Sequence, residues 1–386
     1  GWRVDLILSD SDSENQVCLG LMEFFEEKVG WKTIIYFGVL GGSLLQVLNP
    51  KHYLASKRSD KNKNASPCKS VKLGSFMLAF TSISITWFYI IRFLLREQAK
   101  YNIMTEQELQ QAPNLFLLAY ELVCNTPEKW FWSSQLLTLA VPMHFFLYSE
   151  ALVHEISAIE QLCYVLVGML GAQSFTFPLF FARLVNNQNK KEKIGSFRVR
   201  FPSLAIKDIA FISVIGIQVG CSMLHQSQLI FAVSLIVLHI ILILPIMLGP
   251  FFQVKPQDDQ QIYPFQRIGF IMKLAAAICF LYHVVGVILI LVLNNLKSDT
   301  SSFFSALQSV FSAIFDNDCQ TSITADTVFM SVLVALILKE KLSLSTVNMV
   351  GLLTLMPLVS PGAVFAAGYA AHLSPTTGRK SKLHSN

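Results

Sequence analysis

Long apolar runs of membrane-crossing length dominate this chain and leave few choices for its fold. Leu73–Leu95 alone gives 23 residues whose only charge is Arg92, about 35 Å of helix. In hydrocarbon every backbone N–H and C=O must be paired internally, so only helices or closed barrels are open to such a sequence. A barrel would show alternating segments of about ten residues. The runs here are continuous instead. Hydrophobic residues make up 53 % of the chain and charged residues 14 %, against about 25 % charged in an ordinary globular protein. The fold class expected is therefore all-α, a polytopic transmembrane helical bundle.

The runs place spans at Trp31–Leu48, Leu73–Leu95, Trp130–Tyr148, Ile159–Leu184, Ile206–Leu224, Leu229–Phe252 and Ile268–Leu293. The helix Ser322–Leu338 follows, then a last span over Val347–Tyr369 broken by Ser360-Pro361-Gly362. An acidic tail (1–30) precedes the single membrane domain (31–372), and a basic tail (373–386) follows it. The first twenty residues are acidic and lack an apolar core, so no cleavable leader is expected there.

The net charge of +5 sits largely in two loops, Lys51–Lys72 and Asn186–Lys207. That pattern sets membrane orientation and gives no nucleic-acid signal. Both basic loops should face the cytosol. With three spans between them they would not, so Gln107–Cys124 is expected to be embedded as well, giving nine or ten membrane segments. This arrangement puts the acidic links Ser149–Glu155 and Asn294–Thr321 on the far side, leaves the sequon at Asn64 unused, and puts the basic tail on the wrong side. The seven cysteines are scattered without a CxxC pair and give no metal signal.

Several chemistries lack their motifs. The sequence has no HxxxH or HxxHH for a di-iron centre, no HExxH, no P-loop, no GxSxG elbow and no DDxxD. No internal repeat is obvious, which weakens an inverted-repeat transporter. What remains is a set of polar residues in or near lipid. Asp326 opens a run of uncharged residues closed by Lys339 and Lys341, and a carboxylate there is a functional suspect. It could equally cap its helix, and one residue can do both. Glu121 sits mid-segment in Gln107–Cys124. Glu150 and His154 share one helical face. His239 and His283 lie mid-span, where a lone histidine more often joins helices than moves protons. The candidate catalytic residues are Asp326, Glu121 and Glu150. Trp87, Phe175, His239 and His283 are the candidate substrate-binding residues. No metal or cofactor is expected.

The 30 Phe, 10 Tyr and 5 Trp fill membrane helices in any case. They also offer π faces that stabilise a cation in an apolar pocket. A protonated acid among aromatic walls is what a protonation-started polyene cyclisation needs.

Three stretches resemble fungal integral-membrane terpene cyclases of meroterpenoid pathways, of the ascochlorin and macrophorin type. Ala172-Gln173-Ser174-Phe175-Thr176-Phe177-Pro178-Leu179-Phe180-Phe181-Ala182-Arg183-Leu184 resembles that family's Ser-Phe…Asn-Leu-Phe-Phe helix. The Asp326 helix resembles its late Asp-bearing helix. Ser360-Pro361-Gly362-Ala363 resembles its Gly-Pro-Gly-Ala last span. Pro178 stands where the pattern has Asn, Ser360 replaces Gly, and the Asp326 helix lacks a Trp near its end. The resemblance implies a metal-independent enzyme that cyclises the prenyl chain of a meroterpenoid, or its epoxide, by proton donation. Asp326 would be the acid or its partner. The implied partners are a lipophilic small molecule and the bilayer of the endoplasmic reticulum or another endomembrane. The alternatives are a transporter of a small or lipid-like solute, with Glu121, His239 and His283 as a proton path, and a non-catalytic membrane subunit.

Overall fold

The computed structural model describes residues 30–53, 66–105, 107–108, 115–191, 228–248, 263–288, 291–292 and 303–374. The acidic tail, Asn64, the span expected at Ile206–Leu224 and the basic tail beyond Ser374 lie outside these residues. The regular structure described is helical. In chain order the helices are α1 (Gly30–Val47), α2 (Ser66–Tyr101), α3 (Leu115–Cys124), α4 (Pro127–Val153), α5 (Ala158–Leu170), α6 (Gln173–Lys191) and α7 (Gln228–Leu248). They continue with α8 (Tyr263–Leu281, extended by a π-helical stretch over Tyr282–Ile288), α9 (Phe303–Ser312), α10 (Asp318–Leu342), α11 (Thr346–Val359) and α12 (Pro361–Leu373).

Among the described residues, α2, α4, α8 and α10 contain stretches long and apolar enough to cross a membrane. The chain is a membrane protein of the expected class. Burial separates these four. The apolar windows of α4 and α10 are 83 % and 61 % buried, those of α2 and α8 only 22 % and 39 %. The first two therefore form the centre. The second two flank it and turn Met77, Phe80, Phe88, Ile91, Phe270 and Phe280 outward, as lipid-facing helices do.

Each central helix begins on a side-chain cap. Thr126 accepts the Lys129 N–H, and Asn317 accepts the Gln320 N–H. Each also ends the same way. Glu155 (φ 52°) and Ser343 (φ 54°) turn left-handed, and the next residue reaches back to close the helix. Ile156 N–H donates to Ala151 O at 2.9 Å, and Leu344 N–H to Lys339 O at 3.0 Å, the bond of a Schellman stop. A serine then caps a new helix: Ser157 starts α5 and Ser345 starts α11.

Both new helices are short and fold back on a partner. The span expected at Ile159–Leu184 is a hairpin of α5 and α6, broken at Gly171-Ala172. Glu160 near its start meets Arg183 near its end, Nε to Oε1 at 3.2 Å. The last span is also a hairpin, of α11 and α12, broken at Ser360. Thr346 at its start accepts from Lys339 Nζ. Tyr369 near its end donates to Glu150, as does Lys341. Each hairpin thus enters and leaves at one end of the bundle, with its tip inside.

The two halves of the chain repeat this plan. A long flanking helix (α2 or α8), a short helix (α3 or α9), a long central helix (α4 or α10) and a hairpin follow in the same order. Within each half the flanking helix packs along the returning arm, α2 on α6 and α8 on α12. Each hairpin tip is met by the central helix of the other half. One interval separates Glu155 from Ser343, Ser157 from Ser345 and Thr138 from Asp326. The internal repeat that was not visible in the side chains is therefore present in the backbone.

Prolines inside these helices each remove an N–H and leave a carbonyl one turn back without its donor. Another helix supplies one in three cases. Pro178 strips Ser174 O, and Ser82 Oγ of α2 lies 2.8 Å from that oxygen. Pro142 strips Thr138 O, which takes the Cys279 thiol of α8 at 3.6 Å. Pro361 strips Pro357 O, and His283 Nε2–H donates to it at 2.9 Å. A buried carbonyl left bare costs about 1–3 kcal/mol, so these contacts fix how the helices dock.

The hairpins also correct the topology. α3 has ten residues, about 15 Å, and is too short to cross. The extra crossing expected at Gln107–Cys124 is not needed, because the first hairpin returns the chain to the end it came from. His52 of the first basic loop accepts from Arg183 and Asn186 at the start of the second, at 2.8 and 3.0 Å. The second hairpin brings Ser374, the last described residue, to the same end. The described residues that flank the three basic segments, His52, Asn186 and Ser374, thus lie at one end of the bundle, the end that the positive-inside rule would assign to the cytosol. The acidic link Ser149–Glu155 lies at this end too, contrary to expectation, where Lys341 neutralises Glu150. Burial pushes the nearby Tyr53 phenol up to about 12, and it remains a donor to Val47 O at 2.7 Å.

Candidate functional site

Asp326 lies eight residues inside α10, about 12 Å from its start. It does not cap its own helix, which Asn317 does. It caps α6, the returning arm of the first hairpin. Asp326 Oδ1 accepts the Ser174 N–H at 2.7 Å, and Oδ2 the Gln173 N–H at 3.4 Å. The first N–H groups of a helix have no partner within it and carry its positive end. A carboxylate is the side chain best matched to that position, and it is only 8 % exposed. The acid sits inside the protein, away from the membrane surface.

Two of the expected substrate-binding residues gather at the same tip. Trp87 of α2 donates its Nε1–H to Gly171 O at 3.2 Å. Phe175, buried next to Ser174, meets Phe80 edge-on at 5.9 Å. Ser322, one turn before Asp326, donates to Thr86 O at 3.0 Å and holds α10 against α2. The site is therefore the tip of α5–α6, closed by α10 and α2.

The other candidates lie elsewhere. Glu150 is buried at the end of the bundle where α4 and α10 finish. Lys341 and Tyr369 donate to its Oε1 at 2.7 and 2.9 Å, and His154 Nε2 is 3.6 Å from Oε2. This network ties α4, α10 and α12 together. Glu121 is exposed on α3 and is not brought to Asp326. His239 is half-buried on α7. His283 is buried at the other tip, its ring 5.4 Å from Phe131 and its Nε2 bonded to Pro357 O, and it is not brought to Asp326.

That second tip has a different chemistry. Thr138, at the position matching Asp326, offers only a hydroxyl, 3.3 Å from Ser360 Oγ. A Cβ on Gly362 would meet Thr138 O at 2.7 Å and Thr138 C at 2.9 Å, so only glycine allows this approach. Ser360 adopts φ 90°, ψ 128°, a conformation that favours glycine. Sequence reasoning missed Thr138, Ser82 and Cys279. The signal available was that each stands opposite a helix-internal proline or a chain break, which becomes visible only when the helices are paired.

No family model, no curated protein and no solved structure matches this chain.

Proposed function

We propose that this protein is an integral-membrane terpene cyclase that starts ring closure by protonating the prenyl chain of a meroterpenoid, or its epoxide. The observation that carries the reading is Asp326, buried at the N-terminus of α6 beside Trp87 and Phe175. A proton donor must stabilise the base it leaves behind. Here the Gln173 and Ser174 N–H groups and the positive helix end already face the carboxylate, so negative charge formed on proton transfer meets fixed donors. The Ser174 bond holds Oδ1, and the longer contact leaves Oδ2 to carry the proton. Aromatic faces beside the acid stabilise the carbocation that follows. Glu150 and Glu121 have no proton step in this scheme. An oily substrate partitions into the bilayer, and residence in the endoplasmic reticulum or another endomembrane suits it.

Membranes carrying the protein, given farnesylated phenols and their epoxides in the presence of a chelator, should yield a cyclic isomer of unchanged mass. Asp326→Asn should lower the rate by about 10²–10⁴-fold, the usual contribution of a general acid. No turnover over such a panel overturns the proposal.

A transporter is the second reading, favoured by the repeated halves with broken helices meeting inside the membrane, a plan common among carriers. Solute uptake into proteoliposomes that collapses with the proton gradient, without any cyclised product, would establish it instead.

A further inference from the structure

A protonation-started cyclisation also needs a base, because the last cation must lose a proton. His144 of α4 carries one suited to that step. Its Nδ1 lies 2.7 Å from Ala140 O. A carbonyl only accepts, so Nδ1 bears the hydrogen and Nε2 presents its lone pair. That nitrogen is buried, with no hydrogen-bond partner among the described residues. The residue is 5 % exposed. The ring stands edge-on to Phe177 of α6, with centroids 5.3 Å apart. Phe177 is three residues after Ser174, whose N–H holds Asp326, so the two contacts lie about 4.5 Å apart along the α6 axis. The other titratable group facing His144 is His239 of α7. The acceptor nitrogen of this imidazole is thus buried on a ring packed against Phe177 and makes no hydrogen bond among the described residues. Buried polar groups usually find a partner; His144 Nε2 has none among the described residues, and its ring meets α6 about one turn from the Asp326 contact.

We propose that His144 is the base that ends the reaction, an assignment that rests on the cyclase reading. Asp326 gives its proton to the terminal alkene, whose π pair makes the new C–H bond. The remaining π pairs close the rings as C–C bonds. The final cation then loses an adjacent proton to His144 Nε2, and that C–H pair becomes the product double bond. The imidazolium returns its proton by exchange with solvent, which also recharges Asp326. Substrate and product are isomers.

The test compares products of wild type, His144→Gln and His144→Leu, each first shown to be monodisperse with an unchanged melting temperature. With the cation formed but no base in place, substrate is still consumed. The ratio of the single alkene to water-trapped alcohol and alkene isomers should fall by about 10²-fold, the scale of general-base catalysis. A merely structural histidine would change the rate and leave the ratio alone. If wild type cyclises and both variants give the same single alkene, the His144 assignment is overturned and the cyclase reading stands. If one variant does not fold, the other decides. If wild type converts nothing, both proposals fall together.

Discussion

The two hairpin tips share a backbone plan and differ in what faces them. At the α5–α6 tip a carboxylate receives the first N–H groups of the returning arm. At the α11–α12 tip the matching position is Thr138, the arm begins with Pro361, which has no N–H to offer, and Gly362 closes directly on backbone. The first arrangement stabilises a charge inside the bundle. The second is a tight joint between helices with no place for one. The repeated plan thus keeps its geometry in both halves and places a buried carboxylate in only one.

The largest effect should come from exchanging roles between the tips. Asp326→Asn is expected to remove cyclisation by about 10²–10⁴-fold, while Thr138→Ala leaves activity within a few-fold and lowers stability by about 1 kcal/mol. Equal losses of activity from the two would break the distinction. Gly362→Ala should destabilise by about 1–3 kcal/mol or more, because the added methyl overlaps Thr138 backbone that cannot retreat. An unchanged melting temperature would show that the second tip is not tightly closed. Ser82→Ala should cost about 1–3 kcal/mol by baring Ser174 O, and much less in a Pro178→Ala background, where the helix supplies its own donor. A double-mutant cycle on purified protein measures the difference, and additive effects would contradict the account of the prolines. The smallest effect is expected for Ser360→Gly. Relief of the φ 90° conformation, worth about 1–3 kcal/mol, is offset by the lost hydroxyl contact and by glycine's greater freedom when unfolded. A net gain of about 1 kcal/mol in chemical denaturation should remain.

Much of this was legible from residues. The apolar runs identify α2, α4, α8 and α10, and Ser360-Pro361-Gly362 announces a break. Asp326 stands out because a lone acid in an apolar helix needs a reason. The fold-back at Gly171-Ala172 was not legible. Gly171-Ala172-Gln173-Ser174 is a weak break signal set between two apolar stretches, and the two together have the length of one span. The positive-inside rule asks for both basic loops on one face; the hairpin brings the described ends of those loops, His52 and Asn186, together, and Glu121's short helix is not needed for it. The repeat escaped notice for a related reason. What recurs is left-handed stops and serine caps, which many residues can provide, while the matching positions at the tips carry different side chains, Thr138 and Asp326.

The bond between Ser174 and Asp326 joins residues 152 positions apart. The arms α5 and α11, at 13 and 14 residues, give about 20 Å of helix, well short of the roughly 30 Å hydrocarbon layer. Neither can insert as an independent span. During synthesis the first hairpin therefore waits, its helix end uncapped, for an acid made long after it. A chain halted before α10 would leave the first N–H groups of α6 without the Asp326 carboxylate.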